Sequence, residues 1–196
     1  MGDNVRKIVA IASSTGGPRA LQTLISSLPG DLGVPVLIVQ HMPAGFTEAL
    51  AKRLDSISEI NVVEATDGEP VLPNKAYLAP GGKHMNVEYR GGRHYIRYGD
   101  EGTREGVKPC ANYMYESLRN CHYSEVICTV LTGMGADGTE GIGHLSRAKK
   151  VYVIAQNAES CAVFGMPKSA IHAGIVDKEL TLNLIANEIT MKVRQR

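Results

Sequence analysis

The sequence contains no long hydrophobic run and no excess of charge of either sign. No segment approaches the roughly 20 consecutive apolar residues that a helix needs to cross a bilayer, and the first residues lack the apolar stretch of a signal peptide. Lysine and arginine (21) nearly balance aspartate and glutamate (20), so no overall field attracts nucleic acid or anionic lipid. We therefore expect a cytoplasmic protein with no membrane insertion and no nucleic-acid partner.

Cysteines are few and show no paired spacing. Cys110, Cys121, Cys128 and Cys161 form no CxxC motif, which argues against a disulfide framework or a thiolate metal site. They lie in otherwise periodic segments, where buried, reduced thiols are common. His122 follows Cys121 but has no partner at metal-ligand spacing. We expect neither a metal nor a cofactor.

Apolar strand-like runs alternate with amphipathic helical stretches over most of the chain. This pattern predicts one domain, residues 1–196, of the α/β class, with a doubly wound, mostly parallel sheet in a Rossmann-like three-layer arrangement. Short β runs in the middle are separated by glycine-rich turns, and their alternation predicts an appended antiparallel β-hairpin. The predicted strands are 7–13, 34–40, 61–65, 76–80, 85–89, 94–98, 125–131 and 151–156; the predicted helices are 17–27, 45–54, 109–120 and 181–194, with another between the last two strands.

Three motifs follow strand-like runs and offer a hydroxyl, an imidazole and a carboxylate. Ser14 opens a Ser-Thr-Gly-Gly turn, His41 precedes Met-Pro, and Asp137 follows the glycine-rich turn that begins at Thr132. The carboxyl ends of parallel strands share one edge of a sheet, where ligands bind. The three side chains therefore suggest a nucleophile, a base and a group that orients the base, which is typical of a hydrolase.

Each motif also has a structural explanation. Ser14 or Thr15 could cap the following helix, or the turn could bind phosphate, although neither GxGxxG nor GK[ST] is present. A lone histidine at a strand end is more often structural, but pairing of the first two strands would place His41 about 5 Å from the Ser14 end. Asp137 could cap the helix beginning near Gly138 or fix the tautomer of the histidine.

Other polar groups near these motifs have less defined roles. Thr15 could cap the helix or bind the imidazole, and the backbone N–H of Met134, between two glycines, could face an oxyanion. His84 lies in a glycine-rich setting that favours a turn. Gln156 and the turn-rich segment 160–167 could line the pocket or form ordinary loop structure.

In combination, these motifs resemble the catalytic domain of the bacterial chemotaxis protein-glutamate methylesterases, the CheB family. The resemblance implies that Ser14 is the nucleophile, His41 the base and Asp137 the orienting carboxylate, with Thr15 and Met134 supporting the active site. It extends over nearly the whole chain. Its motifs are Ser-Thr-Gly-Gly at 14–17, Gln-His-Met-Pro at 40–43, Ala-Pro-Gly at 79–81, Leu-Thr-Gly-Met-Gly at 131–135 and Ala-Gln-Asn at 155–157.

The resemblance also implies a substrate and partners. These are glutamyl γ-methyl esters, and certain glutamines, on the helical cytoplasmic region of methyl-accepting chemotaxis receptors. Members usually carry an N-terminal receiver domain that links them to a phosphorelay, and none is expected in this chain, which we expect to be a monomer. The alternatives are a phosphate-binding module and a docking module that hydrolyses nothing.

Two departures from the family pattern stand out. An element resembling Arg-Pro-Ser-Val-Asp reads Lys-Pro-Cys-Ala-Asn at 108–112, which puts its contact with substrate in doubt. Ser13 replaces a small apolar residue before the expected nucleophile, but the register of the Ser-Thr-Gly-Gly motif selects Ser14.

Overall fold

The computed structural model describes residues 6–195, which contain nine strands and six α-helices. The strands are β1 (Lys7–Ser13), β2 (Val36–Gln40), β3 (Asn61–Glu64), β4 (Lys75–Leu78), β5 (His84–Arg90), β6 (Arg93–Gly99), β7 (Glu125–Val130), β8 (Lys150–Gln156) and β9 (Lys178–Leu180). The helices are α1 (Gly17–Ile25), α2 (Thr47–Ser56), α3 (Ala111–Ser117), α4 (Thr139–Ser146), α5 (Met166–His172) and α6 (Leu182–Arg194). Short 3-10 turns cover Leu118–Asn120 and Ala158–Ser160.

Seven strands form one parallel sheet in the order β3-β4-β2-β1-β7-β8-β9. β5 and β6 pair antiparallel in a separate two-stranded sheet. The predicted α/β class, its parallel sheet and its hairpin are confirmed. The chain proceeds from β1 to β2 on one side and later returns to β1's other side with β7. The carboxyl end of β1 therefore lies where the winding reverses, which is the usual position of a ligand site in such sheets.

The two faces of the sheet bury separate hydrophobic clusters. Alternate residues of β1 face opposite ways: Ile8, Ala10 and Ala12 belong to the cluster beneath α3 and α4, and Val9 and Ile11 to the one beneath α1, α2 and α6. Helices on both faces exclude water from all seven residues of β1. The pleat thus decides to which side each polar residue at the strand end projects.

The structure adds to the prediction in three elements. The sequence predicts a short β run at 76–80 without assigning its partner strands; the structure places β4 in the main sheet between β2 and β3. Helix α5 and strand β9 were not predicted at all. The first has only seven residues beginning at a Met-Pro turn, and the second has only three residues, which provide no measurable periodicity.

The four cysteines are all free thiols, and three of them are buried as expected; Cys161 is half-buried. Among residues 6–195, no helix combines the length and the apolar character needed to span a membrane.

Candidate active site

Adjacent parallel strands bring Ser14 and His41 to neighbouring positions. Ser13 of β1 is in register with Gln40 of β2, and the His41 N–H donates to the Ser13 carbonyl at 3.1 Å. On the other side of β1, the Ser14 N–H donates to the carbonyl of Thr132, just after β7. The strand pairing predicted from the sequence is confirmed, and it places Ser14 between the two other motifs.

The pleat of β1 distinguishes the two adjacent serines. Ser13 is buried, and its hydroxyl donates to Gln40 Oε1 at 2.7 Å on the α1 face. Ser14 follows on the opposite face and is partly exposed. The Gln40 amide also donates to the carbonyls of Ser14 (2.9 Å) and His41 (3.0 Å). Gln40 was not predicted as a site residue, although it is the only polar residue in the run of β2.

His41 and Asp137 form a short hydrogen-bonded pair. Nε2 of His41 lies 2.7 Å from Oδ2 of Asp137, and both side chains are shielded from solvent. An ionised carboxylate can only accept, so Nε2 carries the proton and Nδ1 is left as an acceptor. Among the described residues, no hydrogen bond joins the Ser14 hydroxyl to this imidazole; in ligand-free sites such bonds are often long.

Four donors surround the Asp137 carboxylate. Oδ2 accepts from the Ala111 N–H (2.6 Å) and from His41, and Oδ1 accepts from the Asn112 N–H (2.9 Å) and the Cys110 thiol (3.0 Å). Burial is the largest influence and raises the pKa of Asp137, but the hydrogen bonds together outweigh it and hold the pKa below its ordinary value. The carboxylate therefore stays ionised opposite His41.

The alternative in which Asp137 caps the helix beginning near Gly138 is wrong. Asp137 binds the first N–H groups of α3, while the N-cap of α4, Gly138, has no side-chain cap of its own. Asn112, the second residue of α3, instead accepts from the N–H groups of Gly138 (3.0 Å) and Gly141 (2.7 Å) with Oδ1. The first N–H groups of α3 thus bind a side chain just before α4, and those at the start of α4 bind a side chain of α3.

The capping alternatives for Ser14 and Thr15 are also wrong. Helix α1 begins after Gly16, whose left-handed φ of 79° suits glycine, and no side chain caps it. Thr15 is exposed, and its carbonyl accepts from the Thr132 hydroxyl at 2.9 Å. No Thr15 hydrogen bond to His41 is present among the described residues.

Two backbone N–H groups beside Ser14 have no acceptor within residues 6–195: those of Thr15 and Met134. The turn that holds Met134 packs on the serine, because a Cβ added to Gly133 would lie 2.7 Å from Ser14 Cβ. Hydrogen bonds from the N–H groups of Gly165 (3.0 Å) and Met166 (2.8 Å) to the Gly133 carbonyl fix this turn. The two free N–H groups therefore lie on hydrogen-bonded turns that adjoin Ser14.

His84, interpreted from the sequence as a turn residue, is a buried support for α3. Its Nδ1 accepts from the Cys110 N–H at 3.1 Å, and its Nε2 donates to the Gly102 carbonyl at 3.0 Å. Burial lowers the pKa of His84, so the neutral ring that this arrangement requires is favoured. Its partners are 18 and 26 residues away in the chain, so no local sequence pattern could predict these hydrogen bonds.

The end of β8 and the segment that follows it lie beside the turn that begins at Thr132. Gln156 Oε1 accepts from the Thr132 N–H at 2.9 Å, and a cavity of about 400 Å³ opens between Gly16, Thr132 and Gln156. Ser160 and Cys161 line it, but Ser14, His41 and Asp137 do not, so the suggestion that this segment lines the active-site pocket stays a prediction. In the described part of the chain, no group of three or more His, Cys, Asp or Glu side chains is arranged to hold a metal ion.

Comparison with protein families decides the relationship. The family model for CheB methylesterase matches residues 9–189. The chain belongs to the CheB methylesterase family. The protein-glutamate methylesterase/protein-glutamine glutaminase of Halalkalibacterium halodurans is 45% identical over 190 residues, which is 97% of this chain and 55% of that protein. The enzyme of the same name from Bacillus subtilis is 44% identical over 190 residues, or 97% and 53% of the two chains.

A solved structure of the CheB family has the same fold. The Thermotoga maritima CheB methylesterase catalytic domain matches with a TM-score of 0.92 and 41% identity, over 95% of this chain and 98% of that one. This chain therefore spans about half the length of its curated CheB relatives and nearly all of the catalytic domain.

Proposed function

We propose that the chain is a serine hydrolase that demethylates glutamyl γ-methyl esters, with Ser14, His41 and Asp137 as its triad. The single observation that carries the proposal is the 2.7 Å pair of His41 and Asp137, on segments whose backbones are hydrogen-bonded to Ser13 and Ser14 at the end of β1. Family membership supplies the reaction class, since the relatives are named protein-glutamate methylesterase/protein-glutamine glutaminase. The interpretation of residues 1–196 as a single catalytic domain without a receiver domain remains a prediction.

In the first step, the nitrogen of His41 that carries no proton acts as the base. Nδ1 of His41 takes the proton from the Ser14 hydroxyl as Oγ attacks the γ-carbonyl, and Asp137 stabilises the imidazolium that forms. The imidazolium returns its proton to the departing methoxide, which leaves as methanol. His41 then removes a proton from water, which cleaves the glutamyl–Ser14 ester and regenerates the hydroxyl.

The free N–H groups of Thr15 and Met134 support the second element of the mechanism. Negative charge develops on the carbonyl oxygen in each tetrahedral intermediate, and preorganised donors stabilise it more strongly than mobile water does. Both N–H groups sit on turns that hydrogen bonds hold against β1 and β7. We assign them to the oxyanion site.

The substrate is proposed to be a chemotaxis receptor. The exposed side chains of Phe46 (60%) and Met134 (74%) follow His41 and precede Asp137 in the chain, which suits an open site for a protein surface. Deamidation of a glutamine uses the same steps with ammonia leaving in place of methanol. Action on the cytoplasmic part of a receptor requires a cytoplasmic enzyme, and a monomer suffices for the site.

The test compares methanol release from radiolabelled, methylated receptor membranes by the wild type and two serine variants. Ser14→Ala removes the nucleophile and is expected to abolish release almost completely, by three or more orders of magnitude, on the order seen for triad serines. Ser13→Ala removes the neighbouring hydroxyl on the opposite face and is expected to retain most of the activity. Both variants should fold, because neither hydroxyl caps a helix.

The outcomes separate the proposal from its alternatives. Loss in Ser14→Ala alone, together with loss of ammonia release from glutamine-bearing receptors, supports one serine site for both reactions. Equal losses in the two serine variants would contradict the assignment of Ser14. Receptor binding by a wild type that releases no methanol would favour the docking module.

A further inference from the structure

The carboxylate of Asp137 must present one particular oxygen to His41, and its two oxygens have different partners. Oδ2 faces the imidazole and the Ala111 N–H, whereas Oδ1 is held by the Asn112 N–H and the Cys110 thiol. The two N–H groups belong to the backbone of α3. The Cys110 thiol is therefore the one side-chain donor on Asp137, apart from His41, among the described residues.

Cys110 is itself held at both ends. Its backbone N–H donates to Nδ1 of the buried His84, and its extended backbone (φ −121°, ψ 127°) directs the side chain to Asp137 at the start of α3. The residue is fully buried. Burial, followed by the charge of Asp137, raises the pKa of the thiol to about 12. The sulfur therefore keeps its proton and acts as a donor to the carboxylate, not as a nucleophile.

We propose that Cys110 is a positioning residue for Asp137: its S–H donation to Oδ1 fixes the rotation of the carboxylate so that Oδ2 meets Nε2 of His41. The inference rests on the proposed function. Without the thiol, Oδ1 keeps a single donor and the carboxylate gains freedom to turn about its Cβ–Cγ bond. The hydrogen bond at 2.7 Å then loses alignment, and the imidazole loses its orientation toward the serine.

Four variants separate donation from packing. Cys110→Ser keeps a hydrogen-bond donor at this position. Cys110→Ala and Cys110→Val both remove the donor, but valine fills the space of the thiol whereas alanine leaves a cavity. Cys128→Ala is the matched control, because Cys128 is an equally buried thiol whose hydrogen-bond partner is the Val126 carbonyl and not Asp137. The valine variant also preserves the test if the alanine variant is too unstable to purify.

Steady-state kinetics give the first measurement. We expect kcat for ester hydrolysis to fall about tenfold in Cys110→Ala and Cys110→Val with little change in KM, because alignment and not binding is lost. Cys110→Ser should stay within about threefold of the wild type, and Cys128→Ala should match it. Equal effects of Cys110→Ala and Cys128→Ala would overturn the proposal, since a cavity alone would then explain the loss.

A second measurement needs no turnover. The proton on Nε2 of His41 that is shared with Asp137 gives a far-downfield ¹H NMR resonance, whose position reports the geometry of that hydrogen bond. It should move in the two donor-free variants and stay in place in Cys110→Ser and Cys128→Ala. If the resonance moves in this way but the wild type hydrolyses no ester, the positioning role stands and the proposed function fails. An unmoved resonance in the donor-free variants rejects the positioning role.

Discussion

Thr129 carries a hydroxyl without a hydrogen-bond partner although the residue is fully buried in the sheet. Its register partners on β1 and β8 are Ile11 and Ile154, so the oxygen faces an apolar layer. A buried polar atom that gives up water and gains no partner destabilises the native state.

Replacing Thr129 with valine is expected to raise the free energy of unfolding by about 1 kcal/mol, because valine has nearly the same shape and nothing to leave unpaired. Urea denaturation measures the difference. Thr47→Val is the matched comparison and should lower stability by a similar amount, since the Thr47 hydroxyl donates to Glu64 and accepts from the Gly81 N–H. Destabilisation by Thr129→Val would show that the hydroxyl has a partner the structure does not show.

At this scale the sequence predicted the residues with distinctive chemistry but not the residues that hold them. Ser14, His41 and Asp137 follow apolar runs and could be found from local patterns. Cys110 and His84 could not, because their partners lie at least 18 residues away and depend on how α3 packs. Side-chain support of this kind becomes visible only in three dimensions.

Helices α3 and α4 approach each other closely where their starts exchange hydrogen bonds. A Cβ added to Gly141 would lie 2.6 Å from both Cα and the carbonyl oxygen of Asn112, which is backbone that cannot move aside. Gly143, two residues later on the same helix, has nothing within 4 Å of such a Cβ. A substitution at Gly143 therefore serves as the control for the same substitution at Gly141.

Gly141→Ala is expected to destabilise the protein by about 1–3 kcal/mol, because overpacking forces the two helices apart. It should also reduce ester hydrolysis, since Asp137 is bound to the start of α3. Gly143→Ala should instead stabilise by about 0.5–1 kcal/mol through the lower entropy of the unfolded chain. Thermal melts of the two variants, with kinetics at a temperature where both are folded, check both statements. Similar effects of the two substitutions would refute the close contact.

The elements with strong periodicity were the ones that the sequence predicted well. The sequence predicts strand β1 with its observed bounds because residues 8–12 form a continuous apolar run, and it predicts the amphipathic helices α1 and α6 to within two residues at each end. The insertion of β4 between β2 and β3 was not predicted, since strand order depends on long-range pairing. β9 pairs with the edge of β8 through only three residues, which are too few to show a hydrophobic alternation in the sequence.

The stability of the whole molecule should depend on pH through its buried histidines. His94 accepts a hydrogen bond at Nε2 from the His122 N–H and stacks on Tyr123 with ring centroids 4.1 Å apart. Burial, with smaller contributions from the nearby positive charges of Arg6 and Lys149, lowers its pKa from 6.5 to about 4. Protonation would break the accepted hydrogen bond.

Because the pKa of His94 is lowered in the native state, the unfolded chain binds the proton more readily. Stability is therefore complete above about pH 6.5 and falls as the pH drops toward 4, by at most about 3 kcal/mol from this group. His84, whose pKa is also lowered, adds a loss of the same sign. Urea midpoints measured between pH 7.5 and pH 4.5 would give the slope.

The variant His94→Gln keeps an acceptor for the His122 N–H and removes the titrating ring. It should be less stable at neutral pH, because the stacking on Tyr123 is lost, but its stability should change less on acidification. His172→Gln is the matched control, because it removes an exposed histidine at the end of α5 and leaves His94 and its contact with Tyr123 unchanged. A wild-type slope in His94→Gln would show that other groups set the acid sensitivity.

The pair at the centre of the site joins residues 96 positions apart, His41 and Asp137, on opposite sides of β1. During refolding, the early hairpins and helices can form from neighbouring segments, but this contact requires closure of a long loop. Recovery of the proposed ester hydrolysis during refolding would therefore report closure of this loop. A nascent chain still lacking β7 already contains both serines but not Asp137, so the ester hydrolysis proposed for this chain cannot begin before residue 137 has been synthesised.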